Sequence, residues 1–138
     1  MPERKTLERA RKAKREGKAP TTQAGEFVRE EIEHIREGKH GARSTKQAIA
    51  IGLSKARRAG VKLKPPKKGQ VSARTRKSAS RAYRAGQSGT QRKKTPSAKR
   101  SRATSRALKR EPRRAASRKA LSKQARSAAA RRRRRTTA

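Results

Sequence analysis

Basic side chains carry the most abundant chemistry in this sequence. The chain of 138 residues has 45 Lys+Arg against 9 Asp+Glu, which gives it a formal net charge of +36. Guanidinium and ammonium groups pair with phosphate oxygens, and neutralising the phosphates of a nucleic acid releases condensed counterions whatever the base sequence. A charge of this size requires an abundant polyanion, so the composition predicts a protein that binds nucleic acid.

The basic residues that we expect to contact phosphates lie after residue 70. Residues 1–37 hold ten basic and eight acidic residues, whereas the other 101 residues hold 35 basic residues and one acid, Glu111. Aromatic residues are only 1% of the chain, which argues against modules that read single strands by base stacking. The predicted phosphate partners are Arg74, Arg76, Lys77, Arg81, Arg84, Arg92, Lys93, Lys94, Lys99, Arg100, Arg102, Arg106, Lys109, Arg110, Arg113, Arg114, Arg118, Lys119, Lys123, Arg126, Arg131, Arg132, Arg133, Arg134 and Arg135.

A second candidate contact is the start of a predicted helix, at Arg43, Ser44, Thr45 and Lys46. Free backbone N–H groups, hydroxyls and cations at such a position suit a phosphate. The alternative is structural, because Ser44 and Gln47 have the spacing of a capping box, in which each side chain accepts a hydrogen bond from a backbone N–H. We favour the capping interpretation, since a capping box stabilises any helix, whatever the function of the protein.

Four glutamates form an acidic stripe on another predicted helix. Glu26, Glu30, Glu33 and Glu37 follow one another at helical spacings of four, three and four. One interpretation is a solvated helix face. The other is a docking surface for cations, most simply for the basic tail of the same protein. The sequence leaves both interpretations open.

Residues suited to catalysis, metal binding or membrane insertion are scarce. The chain has no cysteine and two histidines, which are too few ligands for a typical metal site. The sequence contains no recognisable nucleophile–base pair and no phosphate-binding loop motif, so we predict no enzyme and no cofactor. No apolar run approaches the length of a membrane-spanning helix, and the charged N-terminus lacks a secretory signal. We therefore expect no membrane partner and a cytoplasmic, nucleoid-associated location.

The predicted fold is mostly α, a small helical hairpin head with a largely disordered, highly basic C-terminal tail. The expected regions are a charged N-terminal helix in residues 1–20, the hairpin head in residues 21–63 and the disordered tail in residues 64–138. The N-terminal helix has one large apolar residue, Leu7, and therefore almost nothing to bury. In the head, apolar residues repeat at helical spacing in two runs that end at Gly38 and Gly60.

Part of the head resembles a known family. The segment Gly25-Glu-Phe-Val-Arg-Glu-Glu-Ile-Glu-His34, with its continuation through Val61, is similar to a bacterial family of small basic proteins of unknown function. The resemblance covers about residues 20–68 and implies a bacterial source, but no activity and no site residues. The tail is similar in composition to linker-histone tails and to bacterial histone-like proteins, a likeness that implies nucleoid binding by analogy.

The function predicted from charge is DNA binding without sequence specificity, as in a histone-like or nucleoid-associated protein. The first alternative is an RNA- or ribosome-associated protein, since phosphate contacts are alike in both nucleic acids. The second alternative is an adaptor, in which the helical head recruits a protein partner while the tail holds DNA. We favour DNA over RNA as the partner.

Overall fold

Helices run through most of the chain. The computed structural model describes residues 2–88 and 97–137. In chain order the helices are α1 Arg4–Arg15, α2 Pro20–Arg36, α3 Thr45–Arg58, α4 Ala73–Gln87, α5 Ala98–Arg110 and α6 Arg118–Thr137, with a short 3₁₀ turn at Arg114–Ala116 before α6. The prediction that the chain is mostly α is therefore confirmed for the described residues.

The prediction of a disordered tail is wrong, because α4, α5 and α6 occupy most of that region. Two local features explain these helices. Ser72, Ser97 and Ser117 each accept a hydrogen bond from the backbone N–H three residues later, at 3.1–3.2 Å, which caps the N-terminus of the helix. The helices are also rich in alanine and arginine, which have high helix propensity. The part of the prediction that concerns residues 89–96 and 138 lies outside the described residues.

The chain divides into two compact units, each built from two stretches of sequence. Unit 1 comprises the described residues within Met1–Glu31 and Ala50–Thr95, and unit 2 those within Ile32–Ile49 and Pro96–Ala138. Unit 1 thus contains α1, α4, the first part of α2 and the last part of α3. Unit 2 contains the remainder of α2 and α3 together with α5, the 3₁₀ turn and α6.

The core of unit 1 surrounds one aromatic ring, that of the fully buried Phe27. The expectation that α1 buries almost nothing is wrong, because Thr6, Ala10 and Ala13 lie on one face of the helix and are all buried. These residues are small, so they allow α1 to approach its neighbours closely. The buried apolar cluster consists of Ala10, Ala24, Phe27, Ala56 and Val61, with Leu7, Leu53 and Leu63 packed against it.

A polar network within unit 1 joins α1, α2 and α3. The carboxylate of Glu30, which is only 2% exposed, accepts hydrogen bonds from the Thr6 hydroxyl at 3.2 Å and from the backbone N–H of Glu3. Lys55 on α3 pairs with Glu31 and lies 3.8 Å from the second oxygen of Glu30. Buried carboxylates are tolerated only when they are paired or hydrogen-bonded, so this network fixes how the three helices pack.

The α3 helix begins and ends where the sequence predicts. Ser44 accepts from the N–H of Gln47 at 3.2 Å, and the Gln47 side chain accepts from the N–H of Arg43. At the other end, Gly60 has a φ of 99°, in the left-handed region that favours glycine. The N–H of Val61 then donates to Ala56, which closes the helix. The α2 helix begins at Pro20 and ends at Arg36, two residues before Gly38.

Unit 2 is assembled around the loop that joins α2 and α3. The hydroxyl of Thr45 donates to the carbonyl of Ala115 at 2.6 Å, and the Arg36 guanidinium donates to the carbonyl of Ala116 at 3.0 Å. The N–H of Gly41 donates to the carbonyl of Leu108 at 2.8 Å. The buried apolar residues of unit 2 are Ile32, Ile35, Ala42, Ala48, Ala115 and Ala116.

Candidate nucleic-acid interface

The α4 helix presents a cationic face, and contacts on the opposite side of the helix hold it in position. Ala79 and Ala82 are buried, and Gly86 lies so close to α3 that a Cβ there would overlap the carbonyl oxygen of Arg57. The side-chain amide of Gln87 donates to the carbonyl of Gly60 at 3.1 Å. Because α4 is held along this side, the backbone positions of the four cations outside it are fixed. We call Arg76, Lys77, Arg81 and Arg84 the α4 cationic face.

The α4 cationic face borders an open groove in unit 1. The groove has a volume of about 470 Å³ and is also lined by Ser80 and by the consecutive prolines Pro65 and Pro66. Prolines have a fixed φ, so this wall of the groove is stiff. The groove is too open and too polar to enclose an apolar ligand, but its charge suits a solvated anion.

Carboxylates do not neutralise the α4 cationic face. None of its four cations forms an ion pair with any residue in the described part of the chain. Arg57 is different, because it is buried and donates to the carbonyls of Leu63 at 3.0 Å and Lys64 at 3.3 Å. Burial lowers the pKa of the Arg57 guanidinium, which nonetheless stays charged at neutral pH. Arg57 therefore holds the chain that follows α3, while Lys77, Arg81 and Arg84 on α4 are exposed and Arg76 is half-buried.

The remaining predicted phosphate partners lie mainly on α5 and α6 of unit 2. Those on α5 and α6 are exposed, as are Arg113 and Arg114 at the 3₁₀ turn and Arg74 on α4, whereas Arg76 is half-buried. None of the residues of α5 is buried, so all of its cations are exposed. Three predicted partners, Arg92, Lys93 and Lys94, lie outside the described residues.

The candidate contact at the start of α3 has mainly structural partners. The Ser44 hydroxyl caps the helix, and the Thr45 hydroxyl is buried and donates to Ala115. Both hydroxyls are therefore engaged within the protein, which agrees with the capping interpretation. Arg43 and Lys46 are exposed, so they are the two members of this group that remain available to a phosphate.

The four glutamates of the acidic stripe do not share one environment. Glu37 is exposed, Glu26 and Glu33 are half-buried, and Glu30 is buried in the network with Thr6. The interpretation of a uniformly solvated face is therefore wrong at Glu30, because α1 covers it. The cation that Glu30 approaches is Lys55 of the same unit.

A second cationic surface of unit 1 lies on α1 and was not predicted from the sequence. The buried side of α1 is formed by Thr6, Ala10 and Ala13, and the basic residues around the rest of the helix are exposed. The periodicity of those small residues is the signal that could have revealed this surface, since it identifies the buried side of the helix. The exposed basic residues of α1 are Arg4, Lys5, Arg9, Arg11, Lys12, Lys14 and Arg15.

The arrangement can bind anions by charge and hydrogen bonding on exposed helix surfaces. No helix within the described ranges is both long and apolar enough to cross a membrane.

The match to a known family lies in the first part of the chain. Comparisons with curated proteins and with solved structures give no match. The chain is similar over residues 11–68 to a family of unknown function (DUF6496), a stretch that includes α2, α3 and part of α1. The expected resemblance to an uncharacterised family is thus confirmed, and the matched stretch ends before α4.

Proposed function

We propose that this protein binds nucleic acid without sequence specificity, by neutralising phosphates with cations displayed on folded helices. The observation that carries the proposal is the α4 cationic face, whose four cations are unpaired within the described chain and are held on an anchored helix. A net charge of +36 supplies the long-range attraction. The role is binding rather than catalysis.

Duplex DNA is the proposed partner. The major groove of B-form DNA admits an α-helix, whereas the major groove of A-form RNA is too deep and narrow for side chains to read. The predicted phosphate partners on α4, α5 and α6 are carried by regular helices, so this difference favours DNA. In a bacterial cell such a protein would belong to the nucleoid, with a role like that of histone-like proteins.

The test is the salt dependence of binding to the intact protein. If ten phosphates are contacted, the slope of log K against log salt is about −9. Affinity for duplexes of equal length should be nearly independent of base sequence, and an RNA duplex should compete less well than the DNA duplex. A shallow slope, or a strong preference for one sequence among many, would contradict the proposal. Stronger competition by RNA would assign the protein to the RNA-associated alternative.

A further inference from the structure

Ser80 is the one hydroxyl-bearing residue among those that line the groove beside α4. It is half-buried and lines the groove together with the α4 cationic face. Among residues 2–88 and 97–137, its hydroxyl has no hydrogen-bond partner. Two other hydroxyls near or on the basic helices are engaged, since Thr75 pairs with Ser72 and Thr104 donates to the carbonyl of Arg100, and what distinguishes Ser80 is its place in the groove. The Ser80 hydroxyl is therefore an available donor in a cationic groove.

The helix places cations on both sides of this hydroxyl. Arg76 and Arg84 lie four residues before and after Ser80, and Lys77 lies three residues before it. Residues three and four apart are neighbours on the surface of an α-helix, so all three cations adjoin Ser80. An oxyanion at this position can accept a hydrogen bond from the hydroxyl and charge-assisted hydrogen bonds from its neighbours.

We propose that the groove is a seat for a single phosphate group, in which the Ser80 hydroxyl donates to one phosphate oxygen and Arg76, Lys77 and Arg84 pair with the others. This inference rests on the proposed function and deepens it, since it assigns one contact to a defined place. The ligand class is a phosphate mono- or diester, supplied either by a nucleic-acid backbone or by a free phosphate.

Two features make this a defined seat rather than diffuse attraction. The α4 helix is fixed by Ala82 and Gly86 on its opposite side, and Pro65 and Pro66 form a stiff wall across the groove. Because the helix that carries the donors is already fixed, phosphate binding has to order only their side chains and not the backbone. A phosphate should therefore bind here more tightly than at equally charged but unanchored positions.

The first experiment titrates the full-length protein with inorganic phosphate and follows backbone amides by NMR. We expect saturable shifts centred on Ser80, and an affinity for phosphate that falls several-fold in Ser80→Ala. Ser78→Ala is the matched control, because Ser78 is exposed on the same helix and does not line the groove. Weak, non-saturating shifts at all cations alike, unchanged in Ser80→Ala, would overturn the seat.

The second experiment compares Ser80→Glu with Ser78→Glu on a DNA duplex at low salt. The two variants change the net charge equally, but only Ser80→Glu puts a carboxylate into the seat. We expect Ser80→Glu to lose about tenfold more affinity than Ser78→Glu, with helical content confirmed by circular dichroism. Saturable phosphate binding at Ser80 combined with equal duplex affinities would support the seat and assign it to free phosphate.

The two proposals fail in different ways. A steep salt slope, with no phosphate binding at Ser80 and equal effects of the two glutamate variants, would overturn the seat and leave the proposed function intact. A shallow salt slope would overturn the proposed function. Saturable binding of inorganic phosphate at Ser80 would then still support the seat, because that measurement involves no nucleic acid.

Discussion

The α4 and α5 helices have nearly the same composition, yet only α4 is held by buried side chains. They contain 15 and 13 residues, each follows a serine N-cap, and neither has an acid in its first turn. The α4 helix buries Ala79 and Ala82 and places Gly86 against α3, whereas α5 buries none of its residues.

This difference shows that local sequence does not decide whether a basic helix is a fixed surface. In α5, Ala103 and Ala107 have the same spacing as Ala82 and Gly86 in α4, but both alanines are exposed. The carbonyl of Leu108 on α5 accepts a hydrogen bond from Gly41, but α5 buries no side chain, and a helix of this length without buried side chains is marginally stable in water. We therefore expect α4 to bind phosphates without a further loss of backbone conformational entropy. In contrast, α5 should lose conformational entropy when it binds nucleic acid.

The largest expected contrast concerns one added charge on each helix. Ala82→Lys buries an unpaired ammonium group in unit 1, which should lower the free energy of unfolding by about 3 kcal/mol. Ala103→Lys adds the same charge at an exposed site of α5 and should change the free energy of unfolding by less than about 0.5 kcal/mol. Urea unfolding followed by circular dichroism measures both values. Equal effects would show that α4 is no better anchored than α5.

The next contrast concerns nucleic-acid affinity. Arg76→Gln, Lys77→Gln, Arg81→Gln and Arg84→Gln together should flatten the salt slope by about 3.6 if all four cations contact phosphates. The resulting loss of duplex affinity should be about a hundredfold at low salt. The matched variant changes Lys99, Arg102, Arg106 and Lys109 of α5 to glutamine and removes the same charge. It should lose about tenfold less affinity, because the contacts made by α5 are partly offset by the cost of ordering the helix.

Equal losses in the two quadruple variants would mean that only total charge matters. That result would remove the distinction between α4 and α5 as binding surfaces. It would leave the charge-driven function unaffected. Fluorescence anisotropy with a labelled duplex, repeated at several salt concentrations, measures both the affinity and the slope.

A smaller effect tests the close approach between α4 and α3. Gly86→Ala adds a Cβ that meets the carbonyl of Arg57, so it should destabilise the protein by about 1–2 kcal/mol through a forced backbone shift. Gly25→Ala is the control, since a Cβ at Gly25 on α2 meets nothing within 4 Å. That change should stabilise the protein by up to about 1 kcal/mol, because alanine favours helix over glycine. Thermal unfolding of the two variants should therefore shift in opposite directions.

The ends of α3 and the exposed cations were predictable because both are local properties. The serine cap of α3 and the left-handed Gly60 follow from residues within a few positions of each other. Burial by small residues was not predictable from a search for large apolar side chains. Ala10 and Ala82 are buried only because another helix lies against them.

The candidate site was also only partly predictable from the sequence. The sequence identified each cation of the α4 cationic face by its charge. It could not identify the groove, because Pro65 and Pro66 come to lie beside α4 only in the folded unit. The burial of Glu30 likewise depends on Thr6, which precedes it by 24 residues on another helix. Such pairings across elements are set by packing rather than by local pattern.

The smallest effect concerns the serine caps, and it separates global from local stability. Ser72 caps α4 by accepting from Thr75, and Ser97 caps α5 by accepting from Arg100, in both cases at 3.2 Å. Replacing either serine with alanine should cost about 0.5–1 kcal/mol. In α4, packing holds the helix, so Ser72→Ala should lower the global unfolding free energy while its amides stay protected. In α5, the same loss should open the helix locally, and amide hydrogen exchange should accelerate across α5 with little change in global stability.

Adding duplex DNA should restore the protection of α5 if phosphates order it. If the amides of α5 stay as protected as those of α4 in Ser97→Ala without DNA, α5 is held by interactions other than buried side chains, and the contrast between the two helices fails.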